Sequence, residues 1–391
     1  MIVPADRITH IQPYFYAGLS VRIRELEAAG KEIIRMDMGS PDLAPPEFIL
    51  DVLTRTAADP TRHGYTNFGG IPAYKSAWAD YYAQRFGVDL DPVTQVLGLI
   101  GSKEGIFALS QVLVNPGDVV LVPSPGYSVY LGGAKIAGAE IVDLPLLAEN
   151  HFLPDLSLIT SEQAQRAKIL WINYPNNPTG AVAPFSFFED VVAFGRRHDI
   201  LIAHDSPYAE ISYGEPPRSI LEVAGAAEVA VEFNSLSKTY NMAGWRMGAL
   251  LGNADVVRMM LNYKSQADSG HFAPVLAAGI AALSGDQSWL QDRNAIYKRR
   301  VDVLVGALEE LGLEPVRPAG ALYVWARTPQ GQDDYAFCTH MLTQAGVSLT
   351  PGPVYGQGGR GYFRMSVCIP EARISQAIDK MAQHLRVGLG A

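Results

Sequence analysis

The chain has 391 residues, more than one typical domain and enough to bury a sizeable core, so one large and one smaller domain are expected. Its residues are 48% hydrophobic and 18% charged, a globular composition that argues against a disordered or membrane-spanning chain. A net charge of -9, with no long run of lysine and arginine, gives nucleic acid no electrostatic footprint to bind.

The first forty-odd residues carry Pro4, Pro13 and Pro41 and too little regular apolar pattern to fold alone. The opening residues Met1 to Arg7 lack a basic start leading into an apolar core, and no apolar stretch is long enough to cross a bilayer, so a cytoplasmic location without membrane contact is expected. From Val96 onward, short apolar runs alternate with amphipathic segments. Val96 to Ile100 reads as a strand, Ile106, Leu109 and Leu113 follow at helical spacing, and Val119 to Val122 reads as the next strand. Between them Asn115-Pro116-Gly117-Asp118 is a turn that stops the helix. Further buried strands are expected at Ile169 to Ile172, Ile200 to Ala203, Val229 to Phe233 and Ala249 to Leu251. Continuous apolar strands imply a sheet covered on both faces, hence a large α/β domain over residues 46–289 with a mostly parallel sheet between helices.

Beyond about Leu290 the texture changes to a long charged helix through Arg299 and Arg300, a strand-like Leu322 to Trp325, and a closing helix with Ile374, Ile378, Met381 and Leu385 on one face. Residues 290–391, joined by residues 1–45, form the expected smaller α+β domain. Cys338 and Cys368 fit no metal-ligand spacing and at most one disulfide, which points to a reducing compartment and two inert core thiols. The histidines show no metal-site spacing either, and no metal is expected.

Ligands of open α/β sheets bind beyond the carboxyl ends of the strands. There the chain places Gly101 to Gly105, Asn173 to Gly180, His204 to Tyr208 and Asn234 to Lys238, four polar loops on one edge. A lysine directly after a buried strand, among serines, can be desolvated enough to lose its proton. Ser102 and the backbone amide of Lys103, at a helix start, make a ready anion site. Arg364, inside the apolar run Tyr362 to Ser366, is costly to bury unless it meets a partner.

The segment Ser235-Leu236-Ser237-Lys238-Thr239-Tyr240 through Gly244-Trp245-Arg246 resembles the lysine signature of class I/II aminotransferases, the pyridoxal-phosphate enzymes of fold type I. The asparagine-proline loop and the strand-end aspartate stand in the family's order, and the resemblance covers essentially the whole chain. Ile100 to Gly105, Asn173 to Gly180 and Ser235 to Arg246 further resemble LL-diaminopimelate aminotransferases and their close relatives. The resemblance implies pyridoxal 5'-phosphate as cofactor, carried by Lys238, which also shuttles the substrate proton. It implies that Asp205 faces the pyridine nitrogen, that Tyr208 and Asn177 hydrogen-bond the ring hydroxyl, and that Tyr127 stacks on the ring. Ser102, the Lys103 amide, Ser235 and Arg246 would hold the phosphate, the Lys103 side chain pointing away. Arg364 would clamp the substrate carboxylate beside Asn177, and Gly39 would let the N-terminal segment approach the substrate. Tyr65 would reach the cofactor phosphate of a neighbouring subunit, implying a homodimer with shared sites. The implied reaction moves an amino group from LL-2,6-diaminopimelate to 2-oxoglutarate, a step of lysine biosynthesis. The alternatives are a class I aminotransferase for N-succinyl-diaminopimelate, aspartate, alanine or an aromatic amino acid, and a fold type I lyase. A non-catalytic regulator is disfavoured because Lys238, Asp205 and Arg364 are all present.

Overall fold

The apolar runs become strands that are buried on both sides: Val119, Val120 and Leu121 are fully buried. The computed structural model describes residues 2–9, 11 and 13–388, without the side chains of 386–388. After a short strand β1 (Ile34–Arg35) come β2 (Val96–Leu99), β3 (Val119–Ser124), β4 (Glu140–Pro145), β5 (Ala167–Asn173), β6 (Leu201–Asp205), β7 (Ala230–Ser235) and β8 (Gly248–Gly252). Strands β2 to β8 form one sheet in the order β2-β8-β7-β6-β5-β3-β4. The pairs among β3 to β7 are parallel, while β8 runs antiparallel to both β7 and β2. The link from β7 to β8, Leu236 to Met247, holds no helix long enough to carry the chain across the sheet for a parallel return, so the chain doubles back. That reversal keeps the end of β7 (Ser235 opposite Gly248) and the end of β2 (Leu99 opposite Gly248) on one edge.

Strand β4 has no clear signal in the sequence. It is an edge strand whose residues Glu140 and Asp143 face solvent, so charges interrupt its apolar run.

The remaining strands are β9 (Pro315–Val316), β10 (Tyr323–Arg327), β11 (Val347–Ser348), β12 (Thr350–Pro351) and β13 (Tyr362–Ser366). An antiparallel sheet takes the order β12-β13-β10-β9, and β11 pairs in parallel with β1. A second core fills this part, with Tyr297, Val301 and Leu304 from the helix Trp289–Glu310, Phe363 and Met365 from β13, and Ile374 and Met381 from the helix Glu371–Gly388. Ile34 and Met36 join the same core. The N-terminal segment is more regular than its sequence suggests: Phe15–Ala28 is a helix, but it buries only Ile23 and Leu26, too narrow a stripe to read as amphipathic. A two-pronged ion pair ties the chain's two ends together, Arg300 donating to both carboxylate oxygens of Asp42 at 2.7 and 2.9 Å. Cys338 and Cys368 are buried free thiols. Among the described residues no helix is long and apolar enough to cross a membrane.

Candidate active site

A cavity of about 350 Å3 lies at the strand-end edge, between the main sheet and β10 and β13. Of the residues singled out in the sequence, it brings together Gly39, Ser102, Lys103, Tyr127, Asn177, Asp205, Tyr208, Ser235, Lys238, Arg246 and Arg364. Tyr65 is not among them: it is 95% exposed on the surface, away from the cavity of its own chain.

Lys238 follows β7 in the single-turn helix Leu236–Thr239, whose N-terminus is capped by Ser235 accepting from the Ser237 amide at 3.2 Å. Its ammonium donates to the Gly39 carbonyl. Desolvation brings the amine down to about 8, and the positive charges of Arg364 and Arg246 push the same way. A proton that leaves this easily is what an amine nucleophile and base requires. Gly39 has to be glycine for the approach, since a Cβ there would run into the Tyr323 hydroxyl.

Asp205 ends β6, and its side chain enters the cavity while His204, one residue earlier, turns to the opposite face to meet Glu232 at 2.9 Å. One carboxylate oxygen of Asp205 accepts from Tyr130 at 2.6 Å; the other, Oδ1, is buried without a partner. Burial pushes this carboxyl up to about 6, the Tyr130 hydrogen bond pulling back. A buried acceptor left open toward a cavity fits a cationic N–H donor from a ligand.

At the other end of the cavity, Ser102 opens the 12-residue helix Ser102–Leu113 behind Gly101, which has φ of 71°. The Arg246 guanidinium lies so close that a Cβ on Gly101 would strike it. Backbone amides at a helix start, an arginine and serine hydroxyls form a cradle suited to a phosphate. The Lys103 amine is elsewhere, 4.2 Å from the centroid of the Tyr14 ring.

Arg364 projects from β13 and is almost fully buried. It donates to Asn177 Oδ1 at 2.7 Å, to the Asp37 carbonyl at 2.7 Å and to the Tyr16 hydroxyl at 3.1 Å, and it lies 3.9 Å from the Tyr323 ring centroid. No carboxylate is among these partners, so its charge is open to a substrate anion. Tyr208 meets the Tyr323 hydroxyl at 2.9 Å, and Asn173 fixes the Asn177 loop by accepting from the Asn177 amide at 2.8 Å.

The structure adds residues to those expected from the sequence: Tyr130 behind Asp205, Ser237 beside Lys238, Tyr14 under the Lys103 amine, and Tyr16, Tyr323 and Tyr355 around Arg364. Ser237 alone had a visible signal, its place in the serine-flanked lysine segment.

An open aspartate acceptor, a desolvated lysine and an anion cradle around one cavity fit the ring nitrogen, aldehyde and phosphate of pyridoxal phosphate, the cofactor of fold type I transferases. The family model for class I and II aminotransferases matches residues 31–381. The chain belongs to that family, and it is a pyridoxal-phosphate-dependent transaminase. It is 47% identical over 380 residues to the LL-diaminopimelate aminotransferase of Desulforudis audaxviator, with 97% of each chain covered. The LL-diaminopimelate aminotransferase of Dehalococcoides mccartyi (strain ATCC BAA-2266) is 45% identical, with 97% of this chain and 98% of that one covered. Among solved structures, substrate-bound BacF from Bacillus subtilis superposes with a TM-score of 0.95 at 35% identity, covering 98% of each chain. A single mutant of aspartate aminotransferase from Thermus thermophilus does so with a TM-score of 0.92 at 28% identity, over 98% of this chain and all of that one.

Proposed function

We propose that the protein transfers the amino group of LL-2,6-diaminopimelate to 2-oxoglutarate. The observation that carries the chemistry is one cavity holding the Lys238 amine, the unpaired Asp205 oxygen and the Arg364 guanidinium. Bound pyridoxal phosphate supplies an electron sink for the substrate α-carbon. Lys238 holds the cofactor and is the base whose Nζ takes up and returns the α-proton. Asp205 keeps the ring nitrogen protonated, with Tyr130 fixing the carboxylate. Tyr208 and Asn177 bind the ring hydroxyl and Tyr127 packs on the ring. Ser102, the Lys103 amide, Ser235 and Arg246 hold the phosphate. Arg364 orients the substrate carboxylate beside Asn177 and Gly39.

We assign residues 46–289 to the cofactor-binding domain, and residues 1–45 with 290–391 to the domain bearing Arg364. The exposure of Tyr65 suits a residue that completes the site of a second copy, and a homodimer in the cytoplasm is the assembly we propose. The donor rests on two relatives, 45% and 47% identical over almost their whole length, that carry that activity in their names.

The test is a donor panel with 2-oxoglutarate as acceptor. LL-diaminopimelate is expected to exceed N-succinyl-diaminopimelate, aspartate, alanine and aromatic donors in kcat/KM by about 100-fold or more, the discrimination available when buried polar groups are matched. A higher kcat/KM for any of the others would overturn the donor assignment.

A further inference from the structure

Arg293 is a buried cation that the chemistry above leaves unused. It lies in the first turns of the helix Trp289–Glu310 and is 2% exposed. Its hydrogen-bond partners are all neutral. Nη1 donates to the Thr239 carbonyl and, at 3.4 Å, to the Lys238 carbonyl. Nη2 donates to the Glu210 carbonyl at 2.6 Å, and Nε and Nη2 donate to Asn294 Oδ1 at 3.2 and 2.9 Å. The Glu210 carboxylate turns away to Arg85 at 2.8 Å and Tyr81 at 2.5 Å.

A guanidinium buried without a counter-ion is costly, and an apolar side chain could fill the same space more cheaply. What an apolar side chain cannot do is satisfy carbonyls. The helix Leu236–Thr239 is a single turn, so the carbonyls of Lys238 and Thr239 have no partner within it. Arg293 donates to both of them and to the loop that carries Tyr208.

We propose that Arg293 is a positioning residue for the lysine. Its fork locks the backbone of Lys238 and Thr239 to the Tyr208–Glu210 loop, so the amine and the Tyr208 hydroxyl keep one relative placement while the proton passes from the substrate α-carbon to the Nζ lone pair. This rests on the reading of Lys238 as carrier and base.

The test compares holoenzymes of wild type, Arg293→Gln and Arg293→Lys. Each is measured for its visible cofactor band, for kcat and KM with the amino donor, and for the isotope effect of α-deuterated donor. Arg293→Gln is expected to keep the band and a KM within about twofold, to lose roughly tenfold or more in kcat, and to show an isotope effect no smaller than wild type. Arg293→Lys is expected to recover part of kcat, since an ammonium reaches only some of the carbonyls. Wild-type kcat in a folded Arg293→Gln enzyme would overturn the proposal. So would a kcat loss whose isotope effect falls toward unity, or one explained entirely by lost cofactor. Should Arg293→Gln fail to fold, Arg293→Lys decides: a reduced kcat with the isotope effect preserved supports the proposal, and unchanged kcat overturns it. Failure of the Lys238 reading is distinguishable, because wild type itself would then lack a lysine-bound band.

Discussion

Lys238→Ala is expected to lower kcat by about 10⁴-fold or more, because the proposed mechanism gives one side chain the work of both covalent carrier and base. The variant should fold, since the change removes a desolvated amine and leaves the Ser235 cap in place. It should also still bind cofactor without a covalent link, because the Asp205 acceptor and the phosphate cradle do not depend on the lysine. Absorbance then separates the outcomes: the visible band of lysine-bound cofactor disappears and the spectrum of the free aldehyde replaces it. Steady transamination by this variant at a rate near wild type would remove Lys238 from the mechanism.

Asp205→Asn is expected to lose about 10²–10³-fold in kcat/KM, the scale seen when one fixed electrostatic partner of a developing charge is removed. The change is nearly isosteric, and the new side chain can still accept from Tyr130 through its carbonyl. Its amide then faces the open side of the cavity, where Oδ1 stands unpartnered, and a donor there opposes a protonated ring nitrogen. A pH dependence follows with a definite sign. Burial raises the Asp205 carboxyl to about 6 in the cofactor-free protein. As pH falls through that value the carboxylate takes up a proton and loses its hold on a cationic ring, so cofactor affinity should weaken toward acid. Asp205→Asn has no such group and should show a flatter profile over this range. Equilibrium titration of cofactor-free protein measures both, and an identical acid limb in the variant would contradict the role given to Asp205.

The sequence makes the site's strand-end half legible and hides much of the rest. Lys238, Asp205 and the loop of Asn177 follow apolar runs long enough to be recognised as buried strands, and the sheet geometry does the work of bringing them together. Tyr130 lies in a helix against Trp171, ring centroids 4.7 Å apart, and in sequence looks like any core aromatic. Arg293 and Arg300 lie in a helix whose charge suggests a solvated face, yet both are buried because their partners are backbone carbonyls and a distant aspartate. Tyr14 and Tyr16 come from an N-terminal segment with weak patterning, and only the tertiary fold carries them to the cavity. Tyr65 reads clearly as a motif residue but stands exposed outside its own chain's cavity, and the role proposed for it needs a second copy that one chain's sequence does not show.

Lys238 would hold pyridoxal phosphate covalently through its Nζ, and the proposed mechanism has no other carrier. Borohydride reduction of the cofactor-loaded protein, followed by proteolysis and mass mapping, tests it directly. The expected result is a single reduced pyridoxyl adduct on Lys238, on the peptide that contains Ser235 and Ser237. An adduct on another amine, or none on a protein that turns over substrate, would contradict it.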